Sequence, residues 1–358
     1  MMKSASNLWL QSTEMYILST GQEIGSFAKD LEDVGYLIKH IPFEKNVSFF
    51  VKVLKFIKSE RFDIVHIHTE RASPLFAFVA RLALGSSVKI VRTVHHIFRF
   101  HGLLRFRKIL ERLIMKKLLS VTLVSNSISG RQNEIDRFFS TNKLISNWYD
   151  DQYYVPIDST KKKLIRRRLG LPEDKFIYVS LGGNWYYKNY DKIIEAFLFL
   201  PPNTEIFYVQ IGPQGEGAPL EALATKLKVK DKVLCVGSVD DPRTYLHAAD
   251  GYLMPSSEEG FGVAAVEAMG SGLPTILGNV KALTDFNETI SGIRYIEPDS
   301  KSIANEMLSL ASLSERDRYK LGNFLAKQVA AEFGLKNGPN GYLKLYRHLI
   351  SQVVNSGK

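Results

Sequence analysis

The stretch from Gly251 to Ile276 constrains the fold more than any other part of the chain. An apolar run, Gly251 to Met254, leads into Pro255-Ser-Ser-Glu-Glu-Gly-Phe-Gly262. A helix-favouring run, Val263 to Met269, follows, and Gly270-Ser-Gly-Leu-Pro274 opens a second apolar run at Thr275. This order predicts a strand, a tight glycine turn, a helix and a second strand. In such a βαβ unit the helix starts at the carboxyl end of the first strand, where open α/β sheets take their ligands. The first amides of the helix have no intrahelical acceptor and lie at the positive end of its dipole, so the turn suits an anion. Glu259 and Glu267 bracket that turn with seven residues between them. At about 1.5 Å of rise per helical residue the two acids stand on the order of 10 Å apart. That span suits a ligand with hydroxyl-rich groups on both sides of a diphosphate, such as a nucleotide sugar. The same pattern also fits simple capping by Glu-Gly-x-Gly, with Glu267 an exposed helix acid.

The rest of the chain repeats the alternation. In the first half strands are expected near 14–19, 36–41, 64–69, 89–95 and 120–125, with helical patterns at 24–34, 46–58 and 74–84 between them. In the second half strands are expected near 176–181, 205–211, 232–236, 251–254, 275–277 and 293–296. Alternating β and α elements imply parallel sheets covered by helices on both faces. With 358 residues and 45% apolar content, the chain can hold two such domains with full cores. The polar, turn-rich stretch 147–160 is the expected boundary. The domains are therefore taken as 1–150 and 151–340, with a final amphipathic helix at about 341–358.

The segment Pro255-Ser256-x-x-Glu259-Gly260-Phe261-Gly262-x-x-x-x-Glu267-Ala-Met-x-x-Gly-x-Pro resembles the E-x7-E signature of retaining glycosyltransferases of family 4, which have the GT-B fold. Weaker resemblance runs through almost the whole chain. It implies a nucleotide-diphosphate sugar donor bound mainly by the second domain, no metal, no cofactor, and a last helix crossing back to the first domain. By the same resemblance Glu267 would hold the ribose hydroxyls and Glu259 the donor sugar. Ser256 and the amides of Gly260, Phe261, Gly262 and Val263 would line the phosphate and sugar. The N-terminus departs from the pattern: the family's usual first strand and glycine loop have no counterpart in Met1 to Thr13. The first good strand instead resembles the family's second βα unit.

Lys188 lies in Gly182-Gly183-Asn184-Trp185-Tyr186-Tyr187-Lys188, directly after an expected strand. This resembles the family's phosphate-binding segment, except that Gly183 and Asn184 stand where an arginine is usual. A lysine at a helix start opposes the dipole, so an anionic partner explains it better than solvent does. His95 closes the strand 89–94; in the resembled family a histidine there faces the donor sugar. His66 and His68 alternate along one strand and are read as structural or cleft-edge groups, for lack of an acid-rich ligand set. Gly212 resembles the base-contacting turn. Asp285 and Glu288 match poorly and carry no role.

The net charge of +10 implies acidic partners. No zinc-finger spacing, RNP-type aromatic motif or basic low-complexity tail speaks for nucleic acid. Gly102 to Leu119 is basic and amphipathic. Phe106, Ile109, Leu110, Leu113 and Leu118 form a stripe expected to face the core, with the basic face turned toward solvent or an anionic membrane surface. Lys161 to Arg168 reads as a solvated helix face. Cys235 is the single cysteine, which fits a reducing cytoplasm, and it is expected to be buried. No run of about 18 apolar residues is present, and the N-terminus does not read as a signal peptide. The expected protein is a cytoplasmic, peripherally membrane-bound retaining glycosyltransferase acting on a glycan or lipid-linked acceptor in surface polysaccharide synthesis. The alternative is a catalytically impaired GT-B protein that binds nucleotide or glycan without turnover.

Overall fold

The computed structural model describes residues 1–25 and 27–356, with side chains described as far as residue 352. The chain divides into two compact units. One comprises Met1–Trp148 and returns from Leu335 onward; the other is Tyr149–Gly334.

The first unit runs α1 (Met2–Trp9), β1 (Tyr16–Ser19), α2 (Ala28–Glu32), β2 (Leu37–His40), α3 (Val47–Glu60), β3 (Ile64–Ile67), α4 (Ser73–Leu84), β4 (Lys89–Val94), α5 (Gly102–Lys117), β5 (Val121–Ser125), α6 (Ile128–Phe138) and β6 (Lys143–Leu144). Its strands are all parallel but form two sheets, β1-β2 and β3-β4-β5-β6. The short β6 carried no apolar run and was invisible to periodicity. The lead before β1 is a helix. Trp9 of α1 donates from Nε1 to the Pro339 carbonyl at 3.0 Å, and the Tyr36 hydroxyl donates to the Met2 carbonyl at 2.8 Å.

Helices start where side chains replace missing backbone acceptors. Asn46 accepts from the Phe49 amide at 2.9 Å to open α3, and Ser127 accepts from the Gly130 amide at 3.1 Å to open α6. Such caps each contribute about 1 kcal/mol. The buried residues of α3, α4 and α5 share one apolar core with Ile67, Ile90, Val121 and Leu123 of the sheet, so these three helices cover the same sheet face. Val91 and Val124 point to the other face and pack with α1 and the last helix.

The helix over 102–117 corrects the sequence reading of its orientation. Lys108, Arg112 and Met115 are its buried residues, while Leu103, Phe106, Leu110 and Leu113 are exposed. The cause is a buried ion network. Arg112 grips Glu134 through two nitrogens at 2.6 and 2.7 Å, Lys108 reaches Glu70 at 3.1 Å and Glu111 at 2.7 Å, and Arg92 of β4 also pairs with Glu70. A periodicity argument assigns apolar residues to the core and has no way to foresee buried partners for the charges.

The second unit runs α7 (Ser159–Leu169), β7 (Phe176–Leu181), α8 (Tyr190–Ala196), β8 (Ile206–Ile211), α9 (Leu220–Lys226), β9 (Val233–Gly237), α10 (Arg243–Ala248), β10 (Gly251–Met254), α11 (Val263–Gly270), β11 (Thr275–Gly278), β12 (Arg294–Ile296), α12 (Ser300–Ala311) and α13 (Glu315–Phe333). The sheet is parallel throughout, in the order β12-β11-β10-β7-β8-β9. The centre strands are buried almost residue for residue, as a sheet covered on both faces requires, with Tyr178, Val179, Tyr252, Leu253, Ile276 and Leu277 all inaccessible. The charged α7 is a correction in one residue: Arg166 is buried, donating to the Ala248 carbonyl at 2.8 Å and to Asp250 at 2.5 Å. Cys235 is only half-buried, and burial pushes its thiol up to about 11. α14 (Gly338–Ser356) then packs in the first unit. Among the described residues no helix is long and apolar enough to cross a membrane.

Candidate functional site

The strand order of the second unit reverses at β7: β8 lies on one side of it and β10 on the other. The loops leaving β7 and β10 therefore open a crevice at the carboxyl edge of the sheet, where doubly wound sheets bind ligands. Gly182–Lys188 is the first loop and Pro255–Gly262 the second. They are tied together: the Ser257 amide donates to the Tyr187 carbonyl at 2.8 Å, and Asn189 Nδ2 donates to the Pro255 carbonyl at 2.8 Å.

The tie places Lys188 against Glu259. Lys188 Nζ stands 2.6 Å from Glu259 Oε1, and the side chains keep only 13% and 11% of their exposure. The Ser256 hydroxyl, fully buried, donates to the same oxygen at 2.9 Å. Glu259 is thus held through one oxygen, and the pair forms a fixed dipole at the start of α11. Gly262 caps that helix at φ +93°, where a side chain would be strained and its Cβ would lie 2.7 Å from Leu283. Phe261 anchors the turn from below in edge-on contact with Phe286 and Phe333. The first intrahelical amide bond is Ala265 to Gly262, so the amides of Val263 and Ala264 precede the helical ladder.

Glu267 lies one turn along α11, partly buried, beside the Tyr154 side chain. Burial pushes its carboxyl up to about 7. Near neutral pH this group sits between a proton donor and a charged acceptor, and a polyhydroxyl ligand would select the acceptor form.

The two glycine loops approach each other at backbone distance. Gly182 and Gly212 have φ of +141° and +137°, and a Cβ on Gly212 would lie 2.2 Å from the Gly182 carbonyl oxygen. Gln210 Nε2 donates to that same carbonyl at 2.9 Å. Asn184, expected among the donor-binding residues, has its side chain engaged within the protein. It is buried, and its Nδ2 donates to the Ala218 carbonyl at 2.8 Å and to Gln214 Oε1 at 3.1 Å. Its carboxamide is spent on holding the 213–218 loop. Gly183 beside it faces the Trp185 indole.

In the first unit His95 follows β4 and hydrogen-bonds His68 at 2.9 Å, with the rings stacked at 5.2 Å. Burial lowers both imidazoles to about 4, so both are neutral and the pair shares one hydrogen between nitrogens. His66 is held on both nitrogens, by the Tyr346 hydroxyl at 2.6 Å and the Thr93 hydroxyl at 2.8 Å. It fastens α14 to the sheet.

Two family models match, one in each unit. Residues 161–323 match "Glycosyl transferases group 1" and residues 27–150 match "Glycosyltransferase Family 4". The chain belongs to the group 1, family 4 glycosyltransferases. It is 23% identical to an N-acetyl-alpha-D-glucosaminyl L-malate synthase of Bacillus anthracis, over 85% of this chain and 79% of that one. It is 28% identical to an Escherichia coli UDP-Gal:alpha-D-GlcNAc-diphosphoundecaprenol alpha-1,3-galactosyltransferase, over 68% of this chain and 65% of that one. Its fold is GT-B: Anabaena Alr3699/HepE, solved with UDP and glucose, superposes at a TM-score of 0.78 over 99% of this chain and 94% of that one, at 16% identity.

Three neighbours of the candidate site residues escaped the sequence reading. Tyr154 lies in the polar stretch read as a linker, and its contact with Glu267 depends on how that stretch folds back. His68 was set aside with His66, with which it shares a face of the strand; its place one step nearer the carboxyl end brings it to His95. Gln210, inside an apolar strand, was unmarked by any pattern.

Proposed function

We propose that this glycosyltransferase moves a hexosyl group, with retention at the anomeric carbon, from a nucleoside-diphosphate sugar to a glycan or lipid-linked acceptor. The observation that carries the reading is the Lys188–Glu259 pair, 2.6 Å apart and nearly buried, at the head of α11. A largely buried lysine beside helix-start amides that precede the α11 ladder fits a diphosphate, whose charge grows as it leaves. Glu259, fixed by Lys188 and Ser256, would accept from a sugar hydroxyl with its other oxygen. Glu267 would accept from the ribose hydroxyls. The amides from Gly260 to Val263 and the close-set Gly182 and Gly212 would line the phosphates and the base. His95, neutral and oriented by His68, would hydrogen-bond a sugar hydroxyl. The bond from the anomeric carbon to the diphosphate breaks, the acceptor oxygen bonds the same carbon, and the acceptor proton passes to the leaving phosphate. No metal or cofactor takes part in this scheme.

Uridine nucleotides are the first donors to test, since a structural neighbour was solved with UDP and glucose. A lipid-diphosphate acceptor is supported by the galactosyltransferase relative, and it would place the work in surface polysaccharide synthesis at the inner face of a membrane. The test is release of nucleoside diphosphate from a panel of nucleotide sugars, with Lys188→Ala and Glu259→Ala as controls. Turnover equal to wild type in both variants would refute the site. A second reading, donor binding without transfer, is favoured by one observation. The place usual for a cationic arginine holds Gly183 and Asn184, and the Asn184 side chain is committed to the neighbouring loop. Calorimetric binding of a nucleotide sugar without diphosphate release would establish it.

A further inference from the structure

We propose that Tyr190 positions Lys188 for the leaving diphosphate: its buried hydroxyl accepts a hydrogen bond from the ammonium, and the last free N–H is thereby aimed at the phosphate. This rests on the transferase reading and goes one residue further into its site.

Tyr190 opens α8, directly after the loop that carries Lys188. It belongs to the apolar core with Phe176, Ile193 and Ile194, and it is 1% exposed. Apolar packing explains the ring but not the hydroxyl. Among the described residues nothing gives or takes a hydrogen bond at Tyr190 Oη. A buried hydroxyl without a partner costs stability, and a phenylalanine would fill nearly the same volume without that cost. Burial, and after it the charge of Glu259, pushes the hydroxyl far above its usual range, so it stays a neutral phenol.

The backbone shows where the hydroxyl is aimed. Gly182 follows β7 at φ +141°. The point where a Cβ would sit on it lies 3.2 Å from Tyr190 Oη, 3.8 Å from Lys188 Cε and 3.9 Å from Lys188 Nζ. Phenol and ammonium thus border one small space, and glycine leaves that space free of a side chain.

An ammonium carries three N–H donors. Glu259 Oε1, 2.6 Å away, takes one. Rotation about the Lys188 side-chain bonds brings a second to Tyr190 Oη without moving the backbone. The third is then fixed in direction, toward the oxygen on which charge builds as the sugar bond breaks. A lysine is otherwise a point charge on a flexible stem, and two protein contacts restrict it. Tyr190 acts through Lys188, so it is a positioning residue. Tyr208 supplies the control: its hydroxyl is buried in the same core, but its neighbour is Ser180 rather than Lys188.

The test measures nucleoside diphosphate release from a nucleotide sugar, with kcat, donor KM and melting temperature, for wild type, Tyr190→Phe, Tyr208→Phe, Lys188→Ala and the double variant Lys188→Ala/Tyr190→Phe. Tyr190→Phe should lower kcat about 10- to 100-fold, the worth of one hydrogen bond to a charged group. Its KM should stay within about twofold of wild type, and it should melt at or above wild type. Added to Lys188→Ala, it should change the residual rate by less than about twofold. Tyr208→Phe should turn over like wild type. A folded Tyr190→Phe with wild-type kcat would overturn the proposal. So would a full further loss in the double variant, or a loss in Tyr190→Phe that Tyr208→Phe matches. A wild type that releases no diphosphate would overturn the transferase reading itself, and this inference with it.

Discussion

Replacing Glu267 by glutamine should make the empty protein more stable at alkaline pH and change it little at acid pH. Burial lifts this carboxyl from 4.5 to about 7. At about 1.4 kcal/mol per unit, holding it ionised costs the folded second unit about 3 kcal/mol. The side chain keeps some contact with solvent, which trims the figure to about 2 kcal/mol. The sign follows from proton binding. Between 4.5 and about 7 the folded state holds the proton more tightly than the unfolded chain, so stability falls as pH rises through this window and is level above it. Glutamine has no such term. A domain of this size shifts by roughly 2–4 °C per kcal/mol, so the variant's second unit should melt about 4–8 °C above wild type at pH 8.5 and nearly with it at pH 5. Scanning calorimetry at the two pH values checks this. A ligand that hydrogen-bonds the ionised carboxylate reverses the balance. Donor affinity in wild type should tighten from pH 6 to 8, and the glutamine variant should bind weakly and without that dependence. A melting difference independent of pH would refute the argument that burial holds this acid near 7.

Other consequences reach further into the site. Gly212→Ala should destabilise the second unit by more than about 2 kcal/mol, since its Cβ would strike the Gly182 carbonyl at a φ only glycine accepts comfortably; denaturant titration measures it. Asn184→Ala should cost about 2 kcal/mol by leaving the Ala218 carbonyl without its donor, and limited proteolysis should then cut within 213–218 sooner. Arg112→Met, which strands Glu134 in the core, should cost about 3–5 kcal/mol, while Arg107→Met on the exposed face should cost less than about 0.5 kcal/mol. His68→Phe should lower turnover and leave donor affinity near wild type, if His68 acts by orienting His95; equal losses in His68→Phe and His95→Ala binding would speak against that role.

Elements were legible where a single period ruled. The strands 176–181, 251–254 and 206–211 are buried on both faces, so each reads as a continuous apolar run, and the glycine turns between strand and helix marked their ends. The acids at 259 and 267 were legible because the glycine turn between them leaves few backbone options. What the sequence hid came from contacts between distant residues. α5 has the periodicity of a core-facing helix, yet Glu70 and Glu134, far away in sequence, pair with its cations and turn the stripe outward. The splitting of the first unit's strands into two sheets depends on lateral pairing, which no strand encodes alone. Asn184 reads as a ligand group from the resemblance of its segment to a phosphate-binding loop; the partners of its side chain, Gln214 and Ala218, lie in another loop and leave no mark near it in sequence.

Lys188 and Glu259 are proposed to act together on a leaving diphosphate. The most direct measurement is nucleoside diphosphate release and product anomeric configuration, by nuclear magnetic resonance, from an α-linked nucleotide sugar and a lipid-linked acceptor. The account predicts an α-linked product from wild type, with release falling at least about a hundredfold in folded Lys188→Ala and Glu259→Ala proteins. A β-linked product, or wild-type release from either variant, would contradict it.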